Sequence, residues 1–271
     1  CPCPACAKND PESVMEMAKN EQQKLLAEHN LYVSFSEMKR IKQAIIEGRL
    51  WEHLELRVHG HPALLHALKT LGKYSEFLER QSPVTKKSGV FFFNSLGLIR
   101  PEVVHFRKRL FERYSPPEET MILVLLPPTR MKPFHKSREH QRVLMKIEQE
   151  IGDKMNKVHV CTYAAPFGIV PAEIDEIYPL SQHEITTPLD EETINYTAKQ
   201  VASYITVMNY KRIILLQDVE TWKEKIAAAC RNPCHKKNVL LTIIKAKNPW
   251  NKQALNELTA TIRNVLLRGT K

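Results

Sequence analysis

Apolar and polar positions follow one rhythm in the first 118 residues and another after them. The first rhythm is helical. Asp10 ahead of Pro11 and Glu12 supplies a capping oxygen, a proline suited to a first turn and an acid at the positive end of a helix. The residues that follow allow one helix from Pro11 to His29, or two with a turn at Lys19 and Asn20. Ser34 with Glu37 three positions on reads as a capping box, and Met38, Ile41 and Ile45 then form an apolar stripe that stops at Gly48. Leu50, Trp51 and Leu54 begin a further amphipathic segment. Pro62 opens another helix, with Leu64, Leu65, Leu68 and Leu71 on its buried side. Residues 1–80 are thus expected to be mostly helical. A short strand, Val90 to Phe93, and a basic helix from Pro101 to about Tyr114 should follow.

Ser115-Pro116-Pro117-Glu118-Glu119 is stiff and polar and cannot continue a helix, so it reads as a boundary. Beyond it, Met121 to Leu126 is an unbroken apolar run stopped by Pro127 and Pro128, the pattern of a strand buried on both faces. Further strands are expected at Val158–Tyr163, Ile213–Leu216 and Val239–Ile244. Helices are expected at 137–151, 191–208, 221–229 and 252–267. Buried strands alternating with helices predict a three-layer α/β domain with a mainly parallel sheet. The division expected is 1–118 and 119–271, with 120–271 separable by proteolysis.

Composition narrows the function classes. No apolar run reaches the roughly 20 residues of a membrane span and no leader precedes a cleavage site, which predicts a soluble, cytoplasmic chain without a membrane partner. The chain begins at Cys1 without an initiator Met, as a truncated sequence would. The net charge of +10 favours a polyanionic partner. Residues 225–256 hold seven Lys or Arg and no acid, and Arg100, Arg107, Lys108, Arg109 and Arg113 cluster against two acids.

Three of the six cysteines crowd into Cys1-x-Cys3-x-x-Cys6, and clustered thiols in an intracellular chain point to a metal before a disulfide. Three soft ligands suit tetrahedral zinc with one ligand missing, and His29 is the nearest histidine in sequence. Such a closed shell leaves no position for water and is structural. A straight helix from Pro11 would carry His29 about 28 Å away at 1.5 Å per residue. The chain must therefore fold back, and Lys19-Asn20 is the expected place.

Cys1-Pro2-Cys3-Pro4-Ala5-Cys6 with His29-Asn30-Leu31-Tyr32 resembles the zinc segment of tRNA-guanine transglycosylases. The likeness continues through Ile41–Ile45, Gly48-Arg49-Leu50-Trp51, Arg57, His61-Pro62 and Arg100–Val103. The later segments Pro166–Pro171 and Tyr178–Gln182 are similar to the domain after the barrel in the archaeal enzymes. The resemblance implies the zinc-binding, mostly helical end of an irregular (β/α)8 barrel followed by the α/β accessory domain. It implies exchange of a D-arm guanine of tRNA for preQ0 on the route to archaeosine, and it is compatible with a homodimer. The family's aspartate nucleophile and acid/base lie upstream of the cysteines, so no catalytic residue transfers here. Only Cys1, Cys3, Cys6 and His29 do, as zinc ligands. Lys132-Pro133-Phe134 with Ser137 and His140 also resembles a motif of archaeosine synthase, the paralogue acting on preQ0-tRNA, with Phe where that motif has Tyr. The rival from another class is a non-catalytic, zinc-stabilised RNA-binding subunit. With tRNA as partner, Arg107, Lys108, Arg109, Lys236 and Lys237 become candidate phosphate contacts.

The remaining candidates read as structure. Cys230 and Cys234 fit helix-end thiols, Phe91 to Phe93 a buried strand, and His59 and His61 a helix start at Pro62. Pro166-Phe167-Gly168 ends a strand, with no acid/base pair near it in sequence.

Overall fold

The computed structural model describes residues 1–268. The chain folds as two compact units, Cys1–Leu65 and His66 onward.

The first unit is helical: α1 Pro4–Lys8, α2 Pro11–Glu16, α3 Lys19–Ile46, α4 Leu50–Val58 and the start of α5, Pro62–Leu71. Asp10 caps α2 by accepting from the Ser13 amide at 2.8 Å, as its sequence foretells. The fold-back comes slightly earlier than expected. Met17 and Ala18 are extended, and Lys19 already begins α3. Ser34 caps nothing, because α3 runs through it without a break. No Pro or Gly interrupts residues 19–46, so propagation costs less than starting a second helix. Glu37 is spent elsewhere. It accepts from Arg57 Nε at 2.6 Å, lies 3.1 Å from His53 Nε2 and pairs with Arg40, which ties α3 to α4. His59 and His61 mark the α4–α5 turn, His61 Nδ1 accepting from the Ala63 amide.

The second unit continues with α6 Ser75–Gln81, β1 Val90–Phe92, α7 Pro101–Glu112, β2 Ile122–Leu126, α8 Arg138–Ile151, β3 Val158–Ala164, β4 Gly168–Pro171 and β5 His183–Ile185. It ends with α9 Glu191–Val207, β6 Arg212–Asp218, α10 Val219–Trp222, α11 Lys225–Lys236, β7 Leu240–Ala246 and α12 Lys252–Arg268. Among the described residues the main sheet has the order β4-β3-β2-β6-β7, all parallel except β4. A parallel β1–β5 pair stands apart. The protein is therefore mixed α/β with a mostly parallel sheet.

Alternate strand residues face opposite layers, which explains why β2 reads as continuously apolar. Leu123, Leu125, Cys161, Tyr163, Ile213 and Leu215 pack with α7, α9 and α11. Ile122, Val124, Leu126, Ile214 and Ile244 pack with α8 and α12. Strands β4 and β5 carried no sequence expectation, and the expected helix at 221–229 is two helices, with a positive φ at Lys223 between them. Gly168 lets α9 press against β4: its φ is +84°, and a Cβ there would lie 2.4 Å from Gln200 Cβ.

Residues 66–118, given to the first domain by the break at Ser115–Glu119, group by compactness with the α/β unit. Val103, Phe106 and Leu110 of α7 are buried in the same cluster as Leu123 and Leu125. Tyr114 adds a bond to His159 Nε2 at 3.0 Å. A cut at 114–120 would part α7 from the sheet residues it packs against. Cys230 lies in the middle of α11 and Cys234 in its last turn; both are buried, and burial pushes both thiols up.

Candidate metal centre

Cys3 is the N-cap of α1, and its sulfur accepts from the Cys6 amide at 3.4 Å. One helical turn thus places Cys6 beside Cys3, while Cys1 precedes the cap. The extended Met17–Ala18 pair returns the chain, and α3 delivers His29 to the same point. His29 Nδ1 lies 3.3 Å from Cys3 Sγ and 3.2 Å from Cys6 Sγ. The ligand atoms of Cys1, Cys3, Cys6 and His29 all fall within 4.8 Å of one another.

Tetrahedral bonds of zinc length would set sulfur–nitrogen separations of about 3.6 Å and sulfur–sulfur separations of about 3.8 Å. The four side chains are close to that spacing, so the donor set could hold a metal ion. The Cys6 amide, more than any other group, brings the Cys3 thiol down to about 7, while the Cys6 thiol is raised, chiefly by its hydrogen bond with Cys3. A thiol already near neutrality gives up its proton readily to a cation. Cys3 is buried, His29 half-buried, and Cys1 and Cys6 exposed.

Three of the five candidate phosphate contacts are engaged within the fold. Arg107 donates to the Tyr196 hydroxyl at 3.1 Å, and Lys108 lies 3.9 Å from Glu79. Lys237 is engaged with carbonyls at the end of α9, 2.6 Å from Met208 O and 3.1 Å from Thr206 O. Arg109 on α7 and Lys236 on α11 are exposed and have no ion pair among the described residues. The basic run at 225–256 is partly neutralised, Lys225 by Glu191 and Lys245 by Glu224. In the synthase-like motif, Ser137 caps α8 and His140 Nε2 meets the Pro127 carbonyl at 3.0 Å, both structural tasks.

Sequence reasoning passed over a cavity beyond the carboxyl ends of the strands, where Lys132 meets Asp218 and Trp222. The signals for it were two strand ends, Pro127-Pro128 after β2 and Pro166-Phe167-Gly168 after β3, where ligands of open sheets often sit; Pro128, Ala164 and Ala165 line the cavity.

The family model described as "Domain of unknown function (DUF5591)" matches residues 103–262. The chain belongs to that family. A second family model, "Queuine tRNA-ribosyltransferase", matches residues 1–63, nearly the first compact unit. The DUF5591 family member described here is also similar to archaeal proteins named tRNA-guanine(15) transglycosylase. That of Methanocaldococcus jannaschii is 42% identical over 193 residues, 71% of this chain and 27% of the relative. That of Saccharolobus solfataricus is 35% identical over 80% of this chain and 42% of its own length. That of Methanobrevibacter smithii is 37% identical over 81% and 32%. The chain thus spans well under half the length of these relatives. No helix among the described residues is long and apolar enough to cross a membrane.

Proposed function

We propose that this chain is the zinc-holding end and the α/β domain of an archaeal-type tRNA-guanine transglycosylase, a cytoplasmic enzyme that exchanges a D-arm guanine for preQ0. The observation that carries the reading is the Cys1–Cys3–Cys6–His29 cluster, standing in the segment that resembles the queuine tRNA-ribosyltransferase family. Zinc there would tie α1 to α3, and a shell of three thiolates and one imidazole would leave it no catalytic position. The cluster therefore supports folding, and the chemistry belongs to a barrel carrying its own carboxylates.

The surface of α3 supports the barrel reading. Leu31, Phe35, Met38 and Ile45 are exposed along it, more apolar surface than an isolated helix presents to water without a partner. Residues 1–118 would then be barrel-derived and 119–271 accessory, with 66–118 joining the accessory layer in three dimensions. Transfer RNA is the partner and preQ0 the incoming base, in a protein compatible with a homodimer. The synthase reading is weaker, since Ser137 and His140 of its motif are occupied by folding tasks.

The test is base exchange. Labelled preQ0 should not enter tRNA with this chain alone, and should enter when the barrel segment of an archaeal relative is joined ahead of Cys1. Incorporation by the chain alone would overturn the reading.

A further inference from the structure

The main sheet changes direction at β2. From β2 the chain passes to β3 on one side, and it later reaches β6 on the other. The helices that follow diverge as well: α8, after β2, packs on one face, and α11, after β6, on the opposite face. Where two neighbouring parallel strands send their chains to opposite faces, the crevice outside their carboxyl ends is left open, and ligands of such sheets lodge there. In this protein the crevice is a cavity of about 650 Å³, within the size range of small-molecule sites.

Its lining is chemically uneven. Arg130 and Lys132 come from the loop after β2, Asp218 ends β6 and Trp222 follows it. Neither cation forms an ion pair among the described residues, although Lys132 is half-buried. Asp218 forms no ion pair with either among the described residues; its Oδ1 accepts from the Glu220 and Thr221 amides at 3.0 and 3.3 Å. Glu184, also on the lining, is the acid felt by Lys132, while burial pushes the proton affinity of that ammonium down. A desolvated cation without a paired anion draws an anionic group. The inner wall is aromatic. His183 is held neutral by burial, and Trp222 is 1% exposed with no hydrogen-bond partner for its Nε1–H.

We propose that this crevice binds a nucleotide, its phosphate held by Arg130 and Lys132 and its base directed towards the end of the lining that His183 and Trp222 back. An anion bonded to a flat, polar ring matches both halves of the lining. The proposal deepens the RNA reading and rests on it only for the source of the nucleotide, which is either free in solution or one residue of an RNA chain.

Calorimetric titration of the full chain tests it, with GMP, guanosine and a pentaribonucleotide as probes. GMP should bind at least tenfold tighter than guanosine. Lys132→Gln and Arg130→Gln should each weaken GMP at least fivefold, Arg130 being exposed and safe for folding. Lys211→Gln, before β6 at the other end of the sheet, should leave binding unchanged. Binding of GMP identifies a free nucleotide, and binding of the pentaribonucleotide alone identifies one within RNA. Guanosine bound as tightly as GMP, undiminished binding in both loop variants, or no binding of either phosphate-bearing probe would overturn the proposal. Whole tRNA titrated in parallel separates the two readings: GMP bound without tRNA sinks the RNA reading and leaves the crevice standing.

Discussion

His183 shows how a buried side chain makes stability depend on pH. It is 3% exposed, its Nδ1–H donates to the Leu180 carbonyl at 2.9 Å, and burial brings its proton affinity down to about 3. His140 is lowered in the same direction, also chiefly by burial. The unfolded chain, with histidines near 6.5, therefore binds protons that the folded protein refuses. Their contribution is complete above pH 6.5 and is lost as the pH falls towards 3. The urea midpoint should accordingly drop between pH 7.5 and pH 5, and His183→Asn should flatten that drop. A midpoint independent of pH over this window would show that His183 is not buried as described. Such residues were not legible in sequence, because their burial depends on strands far away in the chain. The metal ligands were legible, since three of them lie within six residues and their chemistry is local. His29 was chosen by nearness and by the family resemblance, and α1 and α3 bring its Nδ1 against two sulfurs.

Among the elements, legibility followed burial. Strands β2, β3 and β6 are apolar on both faces, so composition alone revealed them to within a few residues. Strands β4 and β5 are short and lie beside prolines; β4 is fully buried yet only four residues long, and the two pair with β3 and β1. Helix α3 was misread for the opposite reason, a capping signature being stronger on paper than the helix around it. Ser34→Ala distinguishes the two descriptions. At an N-cap the change would cost about 1 kcal/mol. On the exposed middle of α3 it should instead stabilise by a few tenths of a kcal/mol, because Ala is the better helix former. Thermal unfolding of the metal-loaded protein reads the sign.

For the whole molecule, the +10 charge is only partly available to a polyanion. Arg107, Lys108 and Lys237 are committed to partners inside the second unit, which leaves Arg109 and Lys236 as its free cations among the five candidates. Replacing both with Gln should lower the slope of tRNA affinity against salt by about 2, at roughly one counterion for each cation removed. An unchanged slope would reduce both to solvated surface. The larger organisation was half legible. The α/β pattern could be read from the strands, but the compact division at Leu65–His66 could not, because α7 looks like the end of a helical region and packs instead beneath the sheet.

Cys1, Cys3, Cys6 and His29 are proposed to hold one structural zinc ion. Native mass spectrometry of the purified chain measures it directly. One zinc per chain is expected, lost together with helical signal on chelation, with an affinity at least tenfold lower in His29→Ala. A chain that folds and melts identically with no metal bound, or that retains zinc equally well without His29, would contradict it.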